Sequence, residues 1–367
     1  MSVDLDDRVV QSLLARSVSA LSTAAPFAVP EPRPGATVTH LLSGGPAAEA
    51  LPLGDLADAH SAVLAGARGV AALQYSDSLG LALLRSTLAE REGVSPDRIV
   101  ITNGALHGVW LALGAVLDRG DVVVVDDPVF PDTPRIIEAA GGIVHPVPVD
   151  REGIDIAAIE ALIADGVRLK AVYTVADFHN PSGHTLTVTR RERLVELAQR
   201  HGFLVVSDNP YRQHRLLGTE VADFTASSDH VVRINTFSKT LGPGLRLGWI
   251  VAPSWLAPHL VNVRRRVDFH SSTLTQHVVA ELLRRPGWFE QLGRSAREIY
   301  GRRAQALTSS LRSHVPELLR FDEPEGGFFV WAEVTDPVIT ADALADVGPR
   351  LAQVAGGLRA TWTGGRS

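Results

Sequence analysis

From about residue 80 to residue 250 the chain alternates short, unbroken apolar runs with longer stretches whose apolar residues recur at helical spacing. RIVITNG (98–104), DVVVVDDP (121–128), GIVHPVPV (142–149), KAVYTVADF (170–178), FLVVSDNPY (203–211), HVVRINTFS (230–238) and GLRLGWIVAP (244–253) read as strands. Continuous Val/Ile/Leu runs, in place of in–out alternation, indicate strands covered on both faces. Between them, LGLALLRSTLAERE (79–92), ALHGVWLALGAVL (105–117), TPRIIEAAG (133–141), IDIAAIEALIADG (154–166) and TRRERLVELAQRHG (189–202) read as helices. Strand–helix alternation on this scale predicts an α/β fold with a doubly wound, mostly parallel sheet. Functional residues are then expected in the loops beyond the carboxyl ends of the strands.

Past about residue 255 the pattern changes to long helices: the VNVRRRVDFH region (261–270), TLTQHVVAELLRR (273–285), and an amphipathic stretch from about Trp288 to Ser313. FFVWAEV (328–334) follows as a predicted strand, so a smaller α+β domain is expected behind the large one. At about 150 residues per domain the 367-residue chain is long enough for two. The division read here is an arm over 1–50, extended and rich in Ala, Pro and Thr over 22–39, a large domain over 51–260 and a shortened small domain over 261–367.

Composition narrows the function classes. A net charge of −6 argues against nucleic-acid binding, which needs a basic face to displace counterions. No run of about 18 apolar residues exists, and MSVDLDDRVV lacks the basic n-region of a signal peptide, so the expected compartment is the cytoplasm, with no membrane partner. Cysteine is absent, which removes disulfides, thiolate nucleophiles and cysteine-based metal sites. The 13 histidines include no HExxH or comparable ligand spacing, so no metal is expected.

Of the 35 basic residues only Lys170 and Lys239 are lysines. Arginine serves in most ion pairs but cannot be deprotonated to an amine nucleophile, so each surviving lysine invites a question. Lys170 opens an apolar run and reads as a strand-edge charge. Lys239 stands in NTFSKTLGPGLR, between Ser238 and Thr240 and ahead of Arg246. A buried lysine amine can form an imine with a carbonyl. Neighbouring hydroxyls and an arginine suit a phosphate monoester. In TNGALHG (102–108) a Gly turn opens a helix, whose free N–H groups favour an anion. Asp208 ends the apolar run FLVVS, where a carboxylate is costly unless it meets a partner. A lysine, a strand-end carboxylate and a phosphate cradle are the parts of a pyridoxal phosphate site.

The order Tyr75, Gly104, Phe130, Asn180-Pro-Ser-Gly, Asp208-x-x-Tyr211, Ser238-Lys239, Arg246 resembles the fold-type I pyridoxal-phosphate aminotransferases, over about residues 40–335. LLSGGPAAEALP, DFHNPSG, RVDFHSSTLTQHVVAELL and PEGGFFVWAEV look like the aminoadipate/kynurenine aminotransferase group and the aminotransferase-like domain of some bacterial regulators. The resemblance implies that Lys239 forms the internal aldimine and then moves the proton, and that Asp208 keeps the pyridine nitrogen protonated. It implies that Tyr211 and Asn180 hydrogen-bond the phenolic oxygen and that Phe130 stacks on the ring. The phosphate would meet Gly104, Ala105, Leu106, Thr236, Ser238 and Arg246. Gly44 and Gly45 would border the substrate, with Asn180 beside it, and Tyr75 would reach in from a second subunit of a homodimer. Amino acids and 2-oxo acids are the implied substrates.

The sequence also departs from that group. Ala105 and Leu106 stand where it usually has Ser and Gln, His179 where it has Gln, and Asn209 where it has Asp. Behind GGFFVWAEV the usual PG segment is missing, and LRATW (358–362) is the place for the carboxylate-clamping arginine, Arg359. The shortened end and altered phosphate turn keep a second reading open: another pyridoxal-phosphate reaction, such as decarboxylation, elimination or cyclisation. A cofactor-sensing regulator is disfavoured, because the first 40 residues carry no basic cluster. Arg16 and the arginines at 264–266 could read a substrate side chain, but a solvated face is the expectation for each.

Overall fold

A computed structural model describes residues 44–336, together with 9, 12–14 and 338. In chain order it places α1 (Leu53–Ala65), α2 (Ala82–Glu92), β1 (Ile99–Thr102), α3 (Ala105–Val116), β2 (Val122–Asp127), α4 (Asp132–Ala139), β3 (Ile143–Asp150), β4 (Gly153–Ile154), α5 (Ile156–Ala164) and β5 (Leu169–Val175). There follow α6 (Val188–His201), β6 (Leu204–Asp208), β7 (Val231–Thr236), β8 (Gly248–Val251), α7 (Ala257–Arg264), α8 (Thr273–Leu283), α9 (Trp288–His314), β9 (Leu319–Phe321) and β10 (Ala332–Val334).

Eight strands form one sheet in the order β1-β8-β7-β6-β5-β2-β3-β4. The pairs β3–β2, β2–β5, β5–β6 and β6–β7 are parallel. β8 runs antiparallel to both β7 and β1, because the 237–247 connection returns the chain directly instead of crossing over through a helix. The mostly parallel sheet expected from the apolar runs is thus present, and its central strands are buried along nearly their whole length.

Both faces are covered. Val109, Leu111 and Leu113 of α3 pack with Val123, Val125, Tyr173 and Leu260. On the other face Ile156 and Ile159 of α5 and Leu194, Leu197 and Ala198 of α6 pack on Val124, Val172 and Val205. Local signals set the helix starts: Asp155 caps α5 by accepting from the amides of Ala157 and Ala158, and the Thr187 hydroxyl accepts from Arg190 N. The Ser272 hydroxyl likewise accepts from Thr275 N at the start of α8.

Three local expectations change. The helix over 261–270 stops at Arg264, and Phe269 takes a φ of 65°. FFVWAEV is extended strand only over Ala332–Val334, paired with Leu319–Phe321, because Phe328 and Phe329 turn toward Tyr211. Arg264 is fully buried instead of solvated: it donates to Ser78 O, Ile101 O and the Ser271 hydroxyl and pairs with Asp268. Helix α8 packs its Val278 and Leu282 against Ala59 and Val63 of α1.

Candidate active site

The carboxyl ends of β1, β2, β5, β6 and β7 lie along one edge of the sheet, and the loops leaving them carry the candidate residues. Asp208 is the last residue of β6 and is buried. Its Oδ2 accepts a 2.9 Å hydrogen bond from the Tyr173 hydroxyl, while Oδ1 is buried with no protein partner. Burial pushes the Asp208 carboxyl up to about 6, and the charge of Asp126 adds to the rise; Tyr173 and Lys239 oppose it. A buried carboxylate oxygen aimed at nothing in the protein is a site for a cationic or N–H-bearing ligand.

Lys239 follows β7 in the tight 237–247 connection, closed by Phe237 N donating to Leu247 O at 3.0 Å. Its Nζ donates to Gly44 O at 2.7 Å and lies 5.5 Å from the centre of the Tyr211 ring. Burial lowers the proton affinity of its amine, and the positive charge of Arg246 lowers it further, against the opposing pull of Asp208. The other lysine is structural: Lys170 Nζ sits 3.6 Å from Asp121, as a strand-edge charge should.

Tyr211 is buried, with ring centres 5.6 and 5.7 Å from those of Phe328 and Phe329. Its hydroxyl holds its proton more firmly than usual, through burial first and then the Asp208 charge, partly offset by the nearby Asn180 side chain. Gly44 borders the same space: a Cβ built there would lie 2.8 Å from Phe329 Cζ and 3.6 Å from the Tyr211 oxygen. Gly45 beside it is exposed, and Phe130 is half-buried in the loop after β2.

The phosphate-turn expectation has a concrete geometry. Gly104 has φ 82° and ψ 174°, backbone essentially reserved for glycine, and it immediately precedes α3. A Cβ on Gly104 would lie 2.8 Å from an Arg246 guanidinium nitrogen, whose NH2 donates to Asn103 O at 2.9 Å. Ala105 and Leu106 bring amides but no hydroxyl to this first turn. Thr236 and Ser238 adjoin it, with Ser238 N donating to Thr236 Oγ1 at 3.1 Å.

Tyr75 lies outside this cluster, 87% exposed, with its ring edge-on to Phe269 and His270. Arg359 and Arg16 lie outside the described residues. Asn209 has a local reason: its Nδ2 donates to Asp177 Oδ2 at 2.6 Å, where a second carboxylate would repel. Residues that the sequence reading passed over are Tyr173, hidden in an apolar run; Asp126, buried behind the site; and His214, whose imidazole faces the Lys239 main chain. Among the described residues no cluster of three or more potential ligands could hold a metal ion, and no helix is long and apolar enough to cross a membrane.

The profile of the aminotransferase class I and II family matches residues 48–359. The 2-aminoadipate transaminase of Thermus thermophilus is 33% identical, the match covering 82% of this chain and 76% of that protein. A solved structure of an α-aminoadipate aminotransferase of the same species, complexed with N-(5'-phosphopyridoxyl)-L-leucine, superposes with a TM-score of 0.78 at 31% identity, covering 84% of this chain and 79% of that one. The kynurenine aminotransferase of Pyrococcus horikoshii gives 0.83 at 26% identity, covering 92% and 85%.

Proposed function

The chain belongs to the class I and II aminotransferases, and we propose that Lys239, Asp208 and Tyr211 carry its reaction. It is a pyridoxal-phosphate-dependent transferase that moves an amino group between an amino acid and a 2-oxo acid. The residues present fit that cofactor on three counts: the orphaned Oδ1 of Asp208, the buried amine of Lys239, and the glycine-only turn beneath Arg246. The first carries the reading, because a buried carboxylate oxygen without a partner is what a protonated pyridine nitrogen would satisfy.

Bound here, pyridoxal phosphate supplies an aldehyde for the lysine and a ring that withdraws electrons from the substrate Cα. Asp208 Oδ1 would accept from the ring N–H and hold that proton in place. Lys239, its basicity reduced by burial, would take the proton from the substrate Cα and deliver it to C4′ of the cofactor. Tyr211 and Asn180 would donate to the phenolic oxygen, and Asn180 would also lie beside the substrate. Phe130 would pack on the ring. The amides of Ala105 and Leu106, the hydroxyls of Thr236 and Ser238, and Arg246 hold the phosphate, with Gly104 keeping the space clear. Gly44 and Gly45 border the substrate, and Arg359 clamps its carboxylate.

The assembly proposed is a cytoplasmic homodimer in which Tyr75 reaches the partner's site. Its exposure, with Val70 77% and Leu73 67% exposed nearby, supports that surface as the contact.

Borohydride reduction of the yellow holoenzyme and peptide mapping tests the assignment: the label is expected on Lys239, and a label on Lys170 would overturn it. A donor screen against 2-oxoglutarate and pyruvate, beginning with 2-aminoadipate and kynurenine, then separates transamination from the other chemistries. Only a transaminase releases the 2-oxo acid and leaves pyridoxamine phosphate in a half-reaction.

A further inference from the structure

Behind Asp208 lies a second buried carboxylate with a histidine for company. Asp126, near the end of β2, is fully buried. Its Oδ2 accepts from Val175 N at 2.8 Å, at the end of β5, and lies 3.3 Å from His179 Nε2. The latter is a close approach and not an aligned hydrogen bond. His179 is 2% exposed. On its other side Nδ1 lies 2.9 Å from the Ser182 hydroxyl and accepts from Ser182 N at 3.3 Å. A ring nitrogen that accepts a backbone N–H carries no proton, so in the neutral ring the proton sits on Nε2, the nitrogen nearest Asp126.

The main chain of His179 clamps the same loop: its N donates to His184 O at 2.8 Å, and its O accepts from Gly183 N at 2.7 Å. Asn180 is the next residue, and its side chain lies near enough to the Tyr211 hydroxyl to ease the loss of that proton. The His179 ring therefore links Asp126, near the end of β2, to Ser182, while its main chain closes the turn that carries Asn180. Leaving Asp126 buried without this contact would be costly, which gives the ring a fixed place.

We propose that His179, held by Asp126, is the positioning residue that sets Asn180 against Tyr211 and the cofactor. The proposal rests on the assignment of Asn180 to the cofactor made above.

The two ring nitrogens can be separated by substitution. His179→Asn keeps a polar atom near Nδ1, for Ser182, but is too short for Asp126; His179→Gln reaches Asp126 and gives up the Ser182 contact. Each variant, loaded with pyridoxal phosphate, is titrated with pH while the visible band of the bound cofactor is recorded. Asn180→Ala should raise the midpoint, because a phenolic oxygen that loses a donor holds the shared proton more tightly. The shift should be about one pH unit, as for a hydrogen bond to a charged oxygen.

His179→Asn should raise it in the same direction, His179→Gln should return it close to the parent, and His179→Asn with Asn180→Ala should shift no further than Asn180→Ala alone. Variants with lower melting temperature but the parent midpoint would make His179 a structural residue only and overturn the proposal. Equal shifts in the Gln and Asn variants would overturn the part given to Asp126, and additive shifts in the double variant would overturn the route through Asn180. An unmoved midpoint in Asn180→Ala would overturn the assignment of Asn180 and the proposal with it. A shift there with none in His179→Asn would overturn the proposal alone.

Discussion

Tyr173 and Asp208 stand on neighbouring parallel strands, two register positions apart: Val206 faces Tyr173, and Asp208 is two residues further along on the same face. The Tyr173 hydroxyl thereby reaches Oδ2 at 2.9 Å and leaves Oδ1 for a ligand. The tyrosine holds the carboxylate's orientation and favours its charged form, while its own proton is held more tightly through burial and the Asp208 charge. Tyr173→Phe is expected to lower kcat/KM by about tenfold, the low end for a hydrogen bond to a charged group. It should also weaken cofactor binding. Unchanged steady-state kinetics and an unchanged cofactor titration would remove Tyr173 from the site's machinery.

Asp208 should cost the cofactor-free protein stability at neutral pH. Its folded carboxyl titrates at about 6, above the ordinary value of about 4 in the unfolded chain. The folded state then binds the proton more tightly, so this contribution is fully present below pH ~4 and is lost as pH rises through about 6. Asp208→Asn keeps an acceptor for Tyr173 and removes the buried charge. It is expected to stabilise the cofactor-free protein at pH 7.5 by about 1–3 kcal/mol while losing at least ~100-fold in turnover. Urea unfolding of the two cofactor-free proteins at pH 4 and 7.5 checks the sign, since the gain should vanish at the lower pH.

His214 has the opposite dependence. It is buried between the rings of Tyr300 and Phe328, neither ring nitrogen has a well-formed partner, and burial lowers its pKa to about 4. The unfolded imidazole titrates near 6.5, so folding loses stability as pH falls from about 6.5 toward 4. Relative to the parent, His214→Leu should be about 2 kcal/mol better at pH 5 than at pH 8. Parallel stability curves for the two proteins across this range would contradict the neutral buried ring.

Gly104→Ala places a methyl group 2.8 Å from the Arg246 guanidinium, on backbone that L-residues avoid. The strain is of order 1–3 kcal/mol, and Arg246 must move from where a phosphate would be met. Cofactor affinity is expected to fall by about tenfold or more, read by fluorescence titration of the cofactor-free protein. A Kd equal to the parent's would place the phosphate elsewhere.

Arg359 was assigned from the pattern of LRATW. If it clamps the amino acid's carboxylate, Arg359→Ala raises the donor KM strongly and lowers kcat less. Arg359→Lys should be nearly as damaging, because a point charge lacks the guanidinium fork. Parent-like KM values in both variants for every accepted donor would leave the carboxylate to another anchor.

By itself the sequence pointed to the class of fold and to pyridoxal-phosphate chemistry, with the choice among such reactions left open. Short, continuous Val/Ile/Leu runs bounded by turn residues suit strands covered on both sides. In a chain with two lysines the candidate for an amine nucleophile narrows to Lys239, once Lys170 is read as the strand-edge charge that Asp121 now pairs. Turn residues such as Gly104 and Asn180 declare themselves locally, because backbone conformation and side-chain type are linked within a few residues. Tertiary structure decided the electrostatics. Tyr173 looks like one more apolar residue of a strand until register sets it diagonal to Asp208. Arg264 looks solvated until four partners around it are assembled from residues as distant as Ser78 and Ile101. Asp126 and His179 are 53 positions apart and meet because β2 and β5 are neighbours in the sheet. Desolvation and charge pairing depend on what surrounds a group in three dimensions, and periodicity along the chain carries no record of that.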